Sequence, residues 1–225
     1  MNSKPALIAY FTAALVFMIA VVLGNDELLL LAKPVIIPSI LFYYLLEKKR
    51  INWFYMIMMA LFFAVDMLAL LEIQNFFIIA AVITLCGYLL FLKGLLDNLL
   101  PLRFNKFNKS NFFSLLVCTF LLLYFLVISM DLLMESKEDN LWILVLYGMV
   151  LVLIGIASAL NYLVKANRYT TFMIITSLAF VISDVFFILK RFFFEIDLFN
   201  YFNNLIQVLS YYYLTKYYLL KKGRL

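Results

Sequence analysis

Eight predominantly apolar stretches follow one another along the chain, at about 5–23, 28–46, 52–71, 76–96, 112–130, 141–164, 170–190 and 199–220. A helix rises about 1.5 Å per residue and the hydrocarbon core of a bilayer is about 30 Å thick, so about 20 such residues make one crossing. The stretches run continuously rather than alternating, which selects helix over strand. In lipid a helix satisfies its own backbone groups. The pieces between the stretches are too short to hold a folded domain. The expected fold is therefore all-α: a polytopic membrane bundle of eight transmembrane helices forming one domain over 1–225. The first stretch is long, lacks a small-residue cleavage pattern and is followed by further spans, so we read it as a retained helix rather than a leader.

Apolar residues make up 67% of the chain, against about 45–50% in soluble domains, an excess that no single water-soluble core hides. The net charge of +5 is no nucleic-acid footprint, because the basic residues form no continuous patch; they punctuate the spans. Their distribution sets orientation. One side carries 12: Lys4, Lys48, Lys49, Arg50, Arg103, Lys106, Lys109, Lys165, Arg168, Lys221, Lys222 and Arg224. The other carries Lys137, Lys190 and Arg191 with nine acids: Asp26, Glu27, Glu72, Asp131, Glu135, Glu138, Asp139, Glu195 and Asp197. The basic side, with both termini, is expected in the cytoplasm of a cell-membrane protein. The chain has no His, and Cys86 and Cys118 lie inside apolar runs. No metal site, disulfide framework or cofactor is expected.

Five charged residues remain inside spans: Lys33, Lys93, Lys216, Asp66 and Asp184. Lys93 and Lys216 lie near cytoplasmic ends, where long side chains snorkel to the headgroups. The aspartates are too short for that. Each costs about 2.5–3.5 kcal/mol at a helix centre on an insertion scale, so a functional role is the default. Depth groups them with Lys33: Asp66 is six residues before Glu72, Asp184 six before Lys190 and Lys33 six after Glu27. That places all three roughly 9 Å below the outer boundary. Tyr147, seven residues past Asn140, reaches a similar level. Lys33, Asp66, Tyr147 and Asp184 are thus expected to share one pocket.

Pro34 and Pro38 each remove a backbone donor from the second span, freeing the carbonyls of Leu30 and Pro34. A kink and a wet cavity both explain that. In the last span Asn200, Asn203, Asn204, Gln207, Ser210 and Tyr211 recur at the helical period and make one polar face. It suits interhelical hydrogen bonding and cavity lining equally; Asn203 and Gln207 join the candidate ligand-binding residues. Gly148, Gly155 and Ala159 read as close-packing positions. The 15 Tyr and 24 Phe are taken as lipid-facing surface and interfacial belt, without chemistry.

Lys33-Pro34, Phe62-Phe63-Ala64-Val65-Asp66 and Phe180-Val181-Ile182-Ser183-Asp184 together resemble the YhhN family of integral membrane proteins, over essentially the whole chain. That family includes lysoplasmalogenases, which cleave the vinyl ether bond of lysoplasmalogens. The resemblance implies a hydrolase acting on lysophospholipids, with Asp66 and Asp184 as the family's paired acids, Lys33 as its lysine and Tyr147 as a tyrosine of the sixth helix. The pattern departs in two places. Members often carry a His in the fourth helix, near Leu85 to Tyr88 here, and a Gln or His late in the last helix, where this chain has Lys216.

Vinyl ether hydrolysis needs a proton for the alkene carbon and then a guided water, so one carboxyl acts as acid and the other as base. Lys33 can pair with a carboxylate or bind the substrate phosphate as a point charge. Two other classes use the same groups: a proton-coupled transporter, for which the third and seventh helices with matching Asp offsets hint at a parallel duplication, and a non-catalytic lipid-binding protein. Membrane lipids are the expected surroundings. Whether copies of the chain assemble stays open.

Overall fold

Each apolar stretch is a helix. The computed structural model describes residues 3–71, 76–101, 108–135, 141–192 and 196–221. Its helices are α1 (Lys4–Leu23), α2 (Asp26–Glu47), α3 (Trp53–Leu70), α4 (Phe76–Leu99), α5 (Lys109–Glu135), α6 (Leu141–Val164), α7 (Arg168–Phe192) and α8 (Asp197–Leu220). No strand occurs among the described residues. Of the residues used to count charge and depth, Glu72, Arg103, Lys106, Lys137, Glu138, Asp139, Asn140, Glu195, Lys222 and Arg224 lie outside the described residues.

Asparagine starts four of the helices in the same way. Asn25 accepts from Leu28 N at 3.0 Å, Asn52 from Tyr55 N at 3.2 Å, Asn108 from Asn111 N at 2.9 Å and Asn167 from Thr170 N at 3.1 Å. A side-chain oxygen there satisfies one of the amide donors that a helix start leaves unpaired. Gly24 ends α1 at φ 61°, a left-handed conformation that glycine adopts without strain. That cap reverses the chain within Gly24 and Asn25.

Seven helices are long and apolar enough to cross a membrane. The exception is α8, which has the length at 24 residues but carries the polar face described above. A helix of this kind is tolerated in a bilayer only when its polar face looks inward, and here it does.

Hydrogen bonds between helix ends fix the topology. Ser3 at the start of α1 donates to Glu47 at the end of α2. Lys48 Nζ donates to the carbonyls of Tyr218, Leu219 and Lys221 at the end of α8, at 2.8, 2.9 and 2.8 Å. Asn52, capping α3, donates its backbone N–H to Tyr44 Oη at 3.0 Å. Lys221 Nζ reaches Gly94 O near the end of α4 at 3.2 Å. Asn161 near the end of α6 donates to Leu95 O at 3.2 Å, and Asn111 at the start of α5 donates to Leu163 O at 3.4 Å. The helices therefore run alternately up and down, with Ser3 and Lys221 at the end that bears Lys48, Lys49 and Arg50. We call this the basic end.

The basic half of the bundle is filled by aromatic side chains. Tyr44, Tyr55, Phe91, Tyr217 and Tyr218 are buried there, Tyr44 and Tyr55 rings lie 4.3 Å apart, and Tyr55 Oη shares a 2.7 Å hydrogen bond with Thr215. This corrects the expectation that the tyrosines are mainly surface. Buried tyrosine combines large apolar area with a hydroxyl that finds a partner, which suits a core made of polar-striped helices. The glycine reading holds: a Cβ on Gly148 would run into Leu126 Cδ1, and one on Gly155 would sit 2.5 Å from Leu122 Cδ1. These two glycines let α5 lie directly on α6.

Near the basic end, Lys216 Nζ donates to Tyr43 Oη at 2.6 Å and sits 4.9 and 5.4 Å from the Tyr43 and Tyr212 ring centres, a cation held against aromatic faces. Lys93 similarly lies 4.3 Å from the centre of the Phe54 ring. Helix α2 runs unbroken through Pro34 and Pro38.

Candidate functional site

Away from the basic end the bundle encloses a cavity of about 480 Å³, a size that accommodates a small ligand. Its wall includes Lys33 from α2, Asp66 from α3, Tyr88 from α4, Tyr147 from α6, Asp184 from α7, and Asn203, Gln207 and Tyr211 from α8. All six residues singled out from the sequence as acid, base or ligand-binding groups therefore line one space. The two carboxyls sit in it with different company.

Asp66 is buried at 5% exposure. Lys33 Nζ lies 3.5 Å from its Oδ1, and Gln207 Nε2 donates to the same oxygen at 3.3 Å. Tyr211 Oη donates to Oδ2 at 3.0 Å and in turn accepts from Gln207 Nε2 at 3.0 Å. A cation and two neutral donors thus surround this carboxyl, an arrangement that suits its ionised form.

Among the described residues, no cation pairs with Asp184. Tyr88 Oη and Tyr147 Oη both donate to its Oδ2, at 2.8 and 2.9 Å. Its Oδ1 has no hydrogen-bond partner among the described residues and belongs to a carboxyl that lines the cavity. Oδ1 is therefore the atom on which a proton can be carried toward a bound molecule.

Aromatic packing joins the two centres. The Phe62 ring lies 6.0 Å from that of Tyr211, the partner of Asp66, and 5.9 Å from that of Tyr88, the partner of Asp184. Phe180 closes the group at 5.6 Å from Phe62 and 5.0 Å from Tyr88. Phe62 can approach α4 so closely because Gly87 faces it; a Cβ there would fall 2.7 Å from Phe62 Cε1. Next to Asp184, Ser183 Oγ donates to Asn203 Oδ1 at 2.7 Å, pinning α7 to α8. The polar face of α8 therefore both bonds between helices and lines the cavity.

Tyr88 and Tyr211 were not assigned a role from sequence. Shared depth of Cα atoms found the aspartates but missed these two, because a tyrosine hydroxyl stands more than one helical turn from its Cα. Side chains lean toward the N-terminus of their helix. Both α4 and α8 begin at the end opposite the basic one, so Tyr88 and Tyr211 lean from deeper positions up to the carboxyls. Tyr211 was visible on the polar face of α8; Tyr88 had no signal beyond its place in the stretch where the resemblance calls for a His.

Of the described residues, none form a group of three or more His, Cys, Asp or Glu able to hold a metal ion. The sequence model of the YhhN family matches residues 28–222, from the third residue of α2 to beyond the end of α8. No curated protein and no solved structure matches the chain.

Proposed function

Because the chain belongs to the YhhN family, we propose that it is a membrane-embedded hydrolase that cleaves the vinyl ether bond of lysoplasmalogen-like lysophospholipids. The products are a fatty aldehyde and a glycerophospho-alcohol. The observation that carries this reading is the pair of unlike carboxyls on one cavity: Asp66 beside a lysine ammonium, Asp184 beside two phenols. With Asp66 ionised, Lys33 cationic and Asp184 protonated the set is electrically neutral, the state that a low-dielectric cavity tolerates best.

Asp184 is the acid. It gives the Oδ1 proton to the alkene carbon remote from the ether oxygen, leaving an oxocarbenium ion, and its new charge falls on a carboxylate already held by two hydroxyl donors. Asp66 is the base. As water adds to the oxocarbenium carbon, Asp66 takes the released proton and a hemiacetal forms. Asp66 then returns that proton to the ether oxygen while Asp184 takes the hemiacetal hydroxyl proton. The carbon–oxygen bond breaks, the aldehyde leaves, and both carboxyls regain their starting states. Tyr88 and Tyr147 are positioning residues for Asp184; Tyr211 and Gln207 serve Asp66.

Dense packing of the basic half favours entry from the opposite side of the membrane, which suits an enzyme that draws its lipid from one leaflet. Purified protein incubated with lysoplasmalogen should release aldehyde. Absence of aldehyde, together with proton or lipid flux into proteoliposomes, would transfer the same residues to transport.

A further inference from the structure

Among the described residues of α5, only Leu122 is buried. The helix rests on α6, where Leu126 and Leu122 pass over Gly148 and Gly155. Its inner face recurs at the helical period in Leu122, Phe125, Leu126, Ser129 and Met130, and these five side chains form one wall of the cavity. Phe125 is at the same time 45% exposed on the outside of the bundle. A residue that both lines a cavity and reaches the outer surface marks a break in the wall, so the cavity meets the side of the bundle there.

The break lies at the depth of the carboxyls. Phe125 stands six residues before Asp131, as Asp66 stands before Glu72 and Asp184 before Lys190. That is roughly 9 Å inside the boundary opposite the basic end. Leu126 packs over Gly148, next to the Tyr147 that donates to Asp184. Outside, Phe125 continues into the exposed side chains of Leu121, Leu123 and Val127, the surface that a membrane span turns to lipid chains. Of the five wall residues only Ser129 has a polar side chain, so the opening suits hydrocarbon and not a headgroup. A lipid chain that came in through water would lose burial at every methylene, whereas one that slides in beside Phe125 stays in hydrocarbon throughout. We propose that the break at Phe125 is a lateral doorway for the alkyl chain of a single-chain lipid in the leaflet opposite the basic end. The carbons next to the ether lie at the carboxyls, and the far end of the chain stays in the bilayer. The site therefore leaves chain length and chain end unread. This rests on the reading of the cavity as a lysolipid site.

Saturated alkyl-ether lysolipids cannot be hydrolysed and test the doorway without turnover. One that carries a pyrene at the chain end should bind the purified protein within about threefold of the plain lipid, because the pyrene lies outside the cavity. A loss beyond about tenfold would mean an enclosed chain and overturn the proposal. Diazirine versions in nanodiscs locate the chain, each read as the labelling that excess plain lipid suppresses. A diazirine a few carbons from the ether should label Leu122 and Leu126, and one at the chain end should label Phe125 and Leu121. Chain-end labelling of Leu151 or Val152, which line the cavity about one turn deeper along α6 than Tyr147, would overturn the proposal. So would a disulfide between two copies carrying Phe125→Cys with Cys86→Ser and Cys118→Ser, since a second chain would then cover the doorway. If neither lipid binds, the lysolipid reading and the doorway fall together; rejection of the pyrene lipid alone removes only the doorway. Failure to release aldehyde in a separate assay bears on the hydrolase reading and not on this one.

Discussion

Asp66 meets an ammonium at 3.5 Å while Asp184 meets two phenols, and the proposed division between base and acid follows from that difference in partners. Asn keeps the size of either side chain and removes the proton that the chemistry moves. Asp66→Asn and Asp184→Asn should therefore each lower aldehyde release by at least about 10²-fold, the usual contribution of a general acid or base. The double variant should be hardly worse than either single one, because the groups act as a unit. Wild-type rates in either single variant, with the protein still inserted, would defeat the two-carboxyl mechanism. The same division requires one carboxyl protonated and one ionised, so the rate should fall on both the acid and the alkaline side of an optimum. A rate that climbs monotonically across the range would contradict it. Lys33 touches Asp66 and lines the cavity as a point charge for the substrate phosphate, and Lys33→Met should both raise KM and change the pH dependence of kcat. A change in KM alone would confine Lys33 to the headgroup.

Helix α8 is the element on which the site depends most, since it supplies Gln207 and Tyr211 to Asp66 and Asn203 to Ser183. Its end is held by the three carbonyl contacts of Lys48, charge-assisted bonds to the pole where a helix favours a cation. Lys48→Met keeps the stem and loses the bonds. It should cost about 1–3 kcal/mol and lower the thermal midpoint in detergent by roughly 2–10 °C; an unchanged midpoint would show that the cap contributes nothing. At this scale the sequence is most readable. Span length and the glycines of α6 act locally, within a turn or across one neighbour, so pattern alone locates them. Tyr88, the second partner of Asp184, was hidden because its contact depends on how far a tyrosine reaches between helices, which no single-helix pattern contains. The aromatic content was misread for a related reason: composition cannot distinguish a ring facing lipid from one such as Tyr55, buried against Tyr44 and Tyr218.

Across the whole molecule, the alternating helices bring Lys48, Lys49 and Arg50 to the same end as Ser3 and Lys221, and the excess of basic residues in the sequence there predicts a cytoplasmic location. Reporter fusions after Arg50 and after Leu225 should both report cytoplasm, while one placed within residues 135–140 should report the opposite side. Either terminus reporting the opposite side would reverse the orientation, and with it the leaflet from which the cavity is reached. The carboxyls were legible from sequence at this scale because a charge deep in an apolar span has few structural explanations. Their unlike surroundings were not, since those come from four other helices. The central claim is that these surroundings make a vinyl ether hydrolase, and one measurement meets it most directly. Purified protein is given lysoplasmalogen and, in parallel, the saturated alkyl-ether lysolipid of the same chain and headgroup, and free aldehyde is followed. Aldehyde from the vinyl ether alone, lost in both Asp66→Asn and Asp184→Asn, is the predicted result; no aldehyde from folded wild-type protein would contradict the account.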